Sequence, residues 1–188
     1  LRVWKKTPMP CTLYELEASQ LPKISQSFDP QAVEWRHAVD RTDPNFLIDY
    51  EYSLLGYDLD SGRLDMLLRF TGNGGHCQRH RHIASTMTLV LDGEQHVDEI
   101  HPDGSISSIV RKNGDYALAE ADALPHNERG GPNGGIVFLA NSAPDGRLFE
   151  YFDEYMNSVR VLTITEYVKS WELGSVPGAL GRKRASAA

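Results

Sequence analysis

The sequence predicts an all-β domain of antiparallel strands. Short apolar segments recur at regular spacing, Asp-Gly and Asn-Gly dipeptides separate several of them, and a helical pattern occurs only near the C-terminus. These dipeptides are strong hairpin signals because they adopt positive φ angles at low cost. Roughly eight strands of this kind indicate a sandwich or a barrel.

The first 48 residues precede the strand pattern and are predicted to form an irregular N-terminal arm. Prolines interrupt any long element at positions 8, 10, 22, 30 and 44. Such an arm usually wraps a core or a neighbouring subunit. Together with an open barrel edge, it leads us to expect a homodimer.

The β-barrel is predicted at residues 49–160. Its strands are expected at residues 50–57, 64–70, 86–91, 94–100, 105–111, 116–120, 136–140 and 147–152. The turns between them are expected at Asp60-Ser61-Gly62, Asp92-Gly93, Pro102-Asp103-Gly104, Asn113-Gly114 and Pro144-Asp145-Gly146.

One short helix is predicted at residues 161–174. Thr163 and Glu166 have the spacing of a capping box, and Ile164, Tyr167, Val168 and Trp171 form an apolar stripe before Gly174. Residues 175–188, which include a basic cluster at 181–184, are predicted to be a disordered tail.

Charge and composition exclude several classes of function. The net charge of −7 argues against nucleic-acid binding, which needs a clustered basic face. No apolar run is long enough to span a membrane. Cys11 and Cys77 are too few for a disulfide framework, so we expect a reducing, cytoplasmic environment.

The residues most informative about function are His80 and His82. They are two positions apart, so on a β-strand both imidazoles point to one side. Buried imidazoles need partners for both ring nitrogens. The pair therefore predicts a metal site.

The segment around this pair resembles the first motif of the cupin superfamily. That motif is Gly, five residues, His-x-His, three or four residues, Glu, six residues and Gly. Here Gly74, His80, His82 and Gly93 fit the spacing, and Thr86 stands in place of the acidic ligand. The second motif is degenerate: Gly114 fits its start, and His126 falls one residue late.

The resemblance implies an antiparallel cupin (jelly-roll) barrel in which His80, His82 and His126 bind a divalent metal. Fe(II) is the ion we expect, with Zn, Ni and Mn as alternatives. Three-histidine cupins of this kind include diketone-cleaving and dihydroxyacetophenone dioxygenases and the cupin domain of zinc-binding anti-sigma factors. The resemblance thus implies an Fe(II) dioxygenase acting on a small carbonyl or enolisable substrate. The alternative is a non-catalytic sensor that binds Zn or a small ligand.

Two further residues are candidates for catalysis or a fourth ligand. Glu99, on the next predicted strand, could restore the acid that Thr86 lacks, or could be a solvated surface charge. His76 shares strand parity with His80 and could be a ligand, a partner of a ligand or a proton shuttle. Its parity has little meaning if the Gly74-Gly75 loop extends to it.

Two other features are assigned to structure rather than to chemistry. Cys77 has the opposite parity to His80, so we expect it to point away from the metal. The glycine-rich residues 130–135 lack the features of a phosphate-binding loop. They are predicted to form a hairpin loop that covers the pocket.

Overall fold

The structure, a computed structural model, describes residues 28–174. A 3-10 turn at Pro30–Ala32 comes first. The strands are β1 (Arg36–Asp40), β2 (Ile48–Asp58), β3 (Arg63–Phe70), β4 (His80–His82), β5 (Ser85–Ile100), β6 (Ile106–Lys112), β7 (Tyr116–Ala119), β8 (His126–Ser142), β9 (Arg147–Phe152) and β10 (Ser158–Thr163). Helix α1 spans Ile164–Glu172. The predicted tail, residues 175–188, lies outside the described residues, as does most of the predicted arm.

The strands form one curled antiparallel sheet, as the sequence predicts. Neighbouring strands follow the order β1-β2-β3-β8-β4-β9-β10, and β5 pairs with β6, β7 and β8. Strand β8 holds the barrel together, because residues 135–142 pair with β3 on one side and with β5 on the other. The same strand begins at His126, opposite His80 of β4.

The predicted turn at Asp92-Gly93 and the predicted loop at residues 130–135 are both wrong. Asp92-Gly93 lies inside strand β5, and residues 130–135 lie inside strand β8. The two strands pair with each other, and their register shifts at these segments. Gly93 has a φ of +62°, and a Cβ there would lie 2.4 Å from the carbonyl oxygen of Gly134. The glycines therefore permit a β-bulge and a close approach of two backbones. They form no covering loop.

One strand lies within the predicted irregular arm. Strand β1 pairs along its length with β2, from Arg36 opposite Tyr52 to Asp40 opposite Ile48. Its five residues are too few for a strand pattern to be recognised in the sequence between the flanking prolines.

Helix α1 packs against the barrel through the predicted apolar stripe. Ile164, Tyr167 and Val168 are buried, and the ring of Tyr52 contacts those of Tyr167 and Trp171 edge-on. The predicted capping box is confirmed: Thr163 N–H donates to Glu166 Oε2 at 2.9 Å, and Glu166 N–H donates to Thr163 Oγ1 at 3.2 Å. Among the described residues, no helix has the length and apolar character needed to cross a bilayer.

Candidate metal centre

The structure brings His80, His82 and His126 together inside the barrel. One ring nitrogen of each lies within 4.8 Å of the others, and the Nε2 atoms of His80 and His82 are 3.2 Å apart. Strand β4 supplies two of these residues and the first position of β8 supplies the third. Phe149 packs edge-on against the rings of His80 and His82, so one side of the cluster is apolar.

The other ring nitrogen of each histidine has a hydrogen-bond partner. His80 Nδ1 lies 2.7 Å from the carbonyl oxygen of Gln78, and His126 Nδ1 lies 3.1 Å from that of Leu124. A carbonyl only accepts, so both Nδ1 atoms carry the proton and both Nε2 atoms have a free lone pair. His82 Nδ1 lies 2.7 Å from Thr86 Oγ1.

Burial keeps the three imidazoles neutral. It lowers the pKa of His80 to about 3 and that of His126 to about 4, and it holds the pKa of His82 well below the usual value for histidine. The positive charge of Arg111 lowers the pKa of His126 further. Lone pairs that face one another repel unless a cation lies between them. Neutral imidazoles are the form that binds metals, so this donor set fits a divalent ion such as Fe, Zn, Cu or Ni.

Thr86 occupies the position of the acidic ligand without replacing it. Its side chain is fully buried and lies behind His82, on the side away from the Nε2 atom. In the described part of the chain, the ligand cluster consists of the three histidines and no carboxylate. A bound divalent ion would therefore keep its full charge.

Glu99 lies beside the cluster but outside it. It is directly opposite His126 in the pairing of β5 with β8, and opposed residues share a face of the sheet. Its half-buried side chain lines a cavity together with His82 and His126. The structure thus places this carboxylate on the cavity wall.

His76 lies apart from the three histidines. Its ring stacks on Phe46 with the centroids 4.7 Å apart, and its backbone forms bridges to Ile48 and Arg129. Burial lowers its pKa. Residues 77–79 do not continue as a strand, so the parity argument that linked His76 to His80 does not apply.

The cavity beside the cluster contains polar residues that the sequence analysis did not identify. Its volume is about 50 Å³. Arg111 donates to Gln95 Oε1 at 2.9 Å, and Gln95 Nε2 donates to Glu128 Oε1 at 2.7 Å. Burial raises the pKa of Glu128. Glu128 is two residues after His126 on β8, so the two side chains share a face of the strand. This spacing could have identified Glu128 from the sequence. Gln95 and Arg111 are brought there by strand pairing alone.

A second cavity, of about 30 Å³, is lined by His80 and by several aromatic residues. Its walls include Tyr50, Tyr151, Tyr167 and Cys77. Cys77 is buried in the hydrophobic core, as expected of a packing residue, and lies outside the ligand cluster. Because the chain bends between residues 77 and 80, the Cys77 thiol turns inward and hydrogen-bonds with Glu128.

No model of a protein family matches the sequence, and no curated protein matches it. Solved structures do match. An acetylacetone dioxygenase from Acinetobacter johnsonii superposes with a TM-score of 0.54 at 13% identity, covering 73% of this chain and 87% of that one. A protein assigned as an acetylacetone dioxygenase, from Methylibium petroleiphilum PM1, gives 0.57 at 13% identity, covering 77% of this chain and 92% of that one.

An RmlC-like cupin protein from Ralstonia eutropha JMP134 gives a TM-score of 0.52 at 17% identity, covering 79% of this chain and 88% of that one. Identities this low carry information about fold alone. The curled antiparallel sheet, these superpositions and the buried histidine cluster agree with one another. The chain therefore has the cupin fold, with a three-histidine cluster that fits the metal site of that fold.

Proposed function

We propose that this protein is a metal-dependent dioxygenase that uses Fe(II) and acts on a small carbonyl or enolisable compound. The observation that carries the proposal is the convergence of neutral, buried histidine nitrogens beside a polar cavity. The cupin fold supports it, and two structures with that fold are described as acetylacetone dioxygenases.

A bound Fe(II) would supply a Lewis-acidic centre for substrate oxygens and the electrons for reaction with O₂. His80, His82 and His126 would hold it. Because three neutral ligands leave the full charge of the ion, the site would favour an enolate over the neutral carbonyl compound.

The walls of the cavity have complementary tasks in this proposal. The guanidinium of Arg111 adds positive charge near the cluster, which stabilises an anionic form of the substrate. Glu99 has a carboxylate on the same wall and is the candidate to accept the proton that an enolisable substrate loses. Phe149 covers the rings of His80 and His82 and limits access of water from its side.

The test combines metal analysis with O₂ consumption. Protein purified without an affinity tag or added metal is analysed for metal, then assayed against diketones, hydroxyketones and thiols. We expect iron and substrate-dependent O₂ uptake. Full occupancy by Zn with no O₂ uptake on any substrate would overturn the oxygenase and favour the Zn-binding sensor.

His82→Ala should remove metal retention, because it deletes one of three ligands. His101→Ala is the matched control, since His101 lies in the turn after β5 and its ring pairs with Ser107. Metal content measured on both proteins decides the point. If the His82 variant retains its metal, the ion binds elsewhere.

A further inference from the structure

We propose that Thr86 and Asn141 are positioning residues that fix the tautomer of His82, so that its Nε2 atom is free to bind the metal. That His82 binds a metal rests on the proposed function. Its tautomer, in contrast, is a property of the metal-free protein. We call the hydrogen-bonded series His82, Thr86, Asn141 and Leu64 the tautomer relay.

The relay begins at a backbone carbonyl. Asn141 Nδ2 donates to the carbonyl oxygen of Leu64 at 3.1 Å, within the pairing of β3 with β8. The opposite orientation of the amide would set two acceptor oxygens against each other. The oxygen Oδ1 of Asn141 therefore faces Thr86.

The Thr86 hydroxyl has one proton, and two of its neighbours can only accept it. These are Asn141 Oδ1 at 2.9 Å and the carbonyl oxygen of Ala84 at 3.3 Å. The hydroxyl therefore donates to one of them. Its oxygen is left to accept from His82 Nδ1, 2.7 Å away. The proton of His82 is thus on Nδ1, as the hydrogen bond of one ring nitrogen fixes the state of the other.

The alternative tautomer would block the site. His82 Nε2 lies 3.2 Å from His80 Nε2, and the proton of His80 is held on Nδ1 by the carbonyl of Gln78. If His82 had its proton on Nε2, it would donate to His80 Nε2. Both nitrogens would then be satisfied without a metal, and an incoming ion would have to break that bond.

This assigns a role to the residue that replaces the acidic ligand. In this chain the side chain at position 86 contacts the Nδ1 atom of His82, on the side of the ring away from the other two histidines. It acts through His82, and Asn141, fully buried on β8, orients it. Partners of this kind behind a metal ligand typically account for a 10- to 100-fold difference in metal affinity.

The test reads the tautomer directly, by ¹⁵N–¹H long-range NMR of the imidazoles in metal-free protein at pH 7. We expect the Nδ1–H form of His82 in the wild type and in Thr86→Ser, which keeps the hydroxyl. Thr86→Val, which keeps the shape but cannot accept, should shift His82 to the Nε2–H form. Its affinity for Co(II) should fall by about 10- to 100-fold.

Thr88→Val is the matched control for tautomer and affinity, because Thr88 is also buried on β5 with the same parity. If Thr86→Val does not fold, Thr86→Ala is the second variant and should shift His82 in the same direction, because it also lacks the oxygen that accepts from Nδ1. An unchanged Nδ1–H tautomer in whichever variant folds overturns the relay. A wild type that shows no oxygenase activity overturns the proposed function alone, since the NMR measurement needs neither metal nor turnover.

Discussion

Glu99 and His76 illustrate how position on a strand decides what a titratable side chain can do. Glu99 lies opposite His126 and lines the polar cavity. His76 is stacked on Phe46, outside that cavity. The geometry therefore places Glu99 at the polar cavity and His76 away from it.

Replacement of Glu99 by Gln should lower kcat while leaving the metal content unchanged. The variant loses the proposed proton acceptor, a group typically responsible for a factor of about 10²–10⁴ in rate. Steady-state O₂ uptake and metal analysis on the same sample check this.

Asp98→Asn is the control for this prediction, because Asp98 accepts from Ser108 on the exposed side of the strand pair. If Glu99→Gln loses its metal while Asp98→Asn does not, Glu99 is a ligand and the proposed proton transfer is wrong.

Prediction from sequence succeeded best where the evidence was local. Two histidines with one residue between them share a side of any strand, and the structure keeps both in β4. Strand parity does not by itself place Cys77, because β4 begins only at His80. Gln95 and Arg111 reach the cavity through cross-strand register, which depends on bulges and on partners distant in sequence.

At the scale of elements, the crossing of β5 and β8 determines the shape of the barrel. Each of the two strands bends at its glycines instead of ending there, and both are therefore long. The Asp92-Gly93 dipeptide looked like a turn because G1 bulges and type I′ hairpin turns both use a residue with positive φ. Only the partner strand distinguishes them.

Gly93→Ala should destabilise the protein by about 2–5 kcal/mol. The left-handed conformation costs an alanine about 1–2 kcal/mol, and forcing a methyl group into packed space costs about 1–3 kcal/mol more. The clash is with the carbonyl oxygen of Gly134, 2.4 Å from the added carbon. Urea denaturation gives the difference.

Gly146→Ala separates the two contributions, because Gly146 has a φ of +80° with open space around it. We expect a loss of about 1–2 kcal/mol there. Equal losses of unfolding free energy in the two variants would show that a methyl group fits between β5 and β8 at Gly93.

At the scale of the molecule, burial of three neutral histidines links stability to pH. The folded pKa values of His80 and His126, about 3 and about 4, lie below the ordinary value of 6.5. The unfolded chain therefore binds more protons as the pH falls below 6.5, and stability is lost from there towards pH 4.

The metal-free protein should lose about 1.4 kcal/mol per pH unit for each such histidine below pH 6.5. Urea denaturation at pH 7, 6 and 5 measures the slope. His126→Gln should have a slope shallower by about 1.4 kcal/mol per pH unit, because the contribution of that group is gone. A stability that is constant from pH 7 to pH 5 would contradict the prediction.

The outer surface supports our proposal of a homodimer. Tyr116 and Leu118 of β7 are exposed and are opposite Leu89 and Met87 of β5. Val110 of β6 is also exposed. A second copy of the chain could cover these exposed apolar side chains.

The tautomer relay also bears on the order in which the protein matures. Its hydrogen bonds join residues that are 55 and 77 positions apart in sequence. Contacts at such separations close large loops and form late in folding. A nascent chain that ends before Asn141 contains all three histidines but lacks the amide that orients Thr86. Metal capture should therefore follow completion of the barrel rather than direct it.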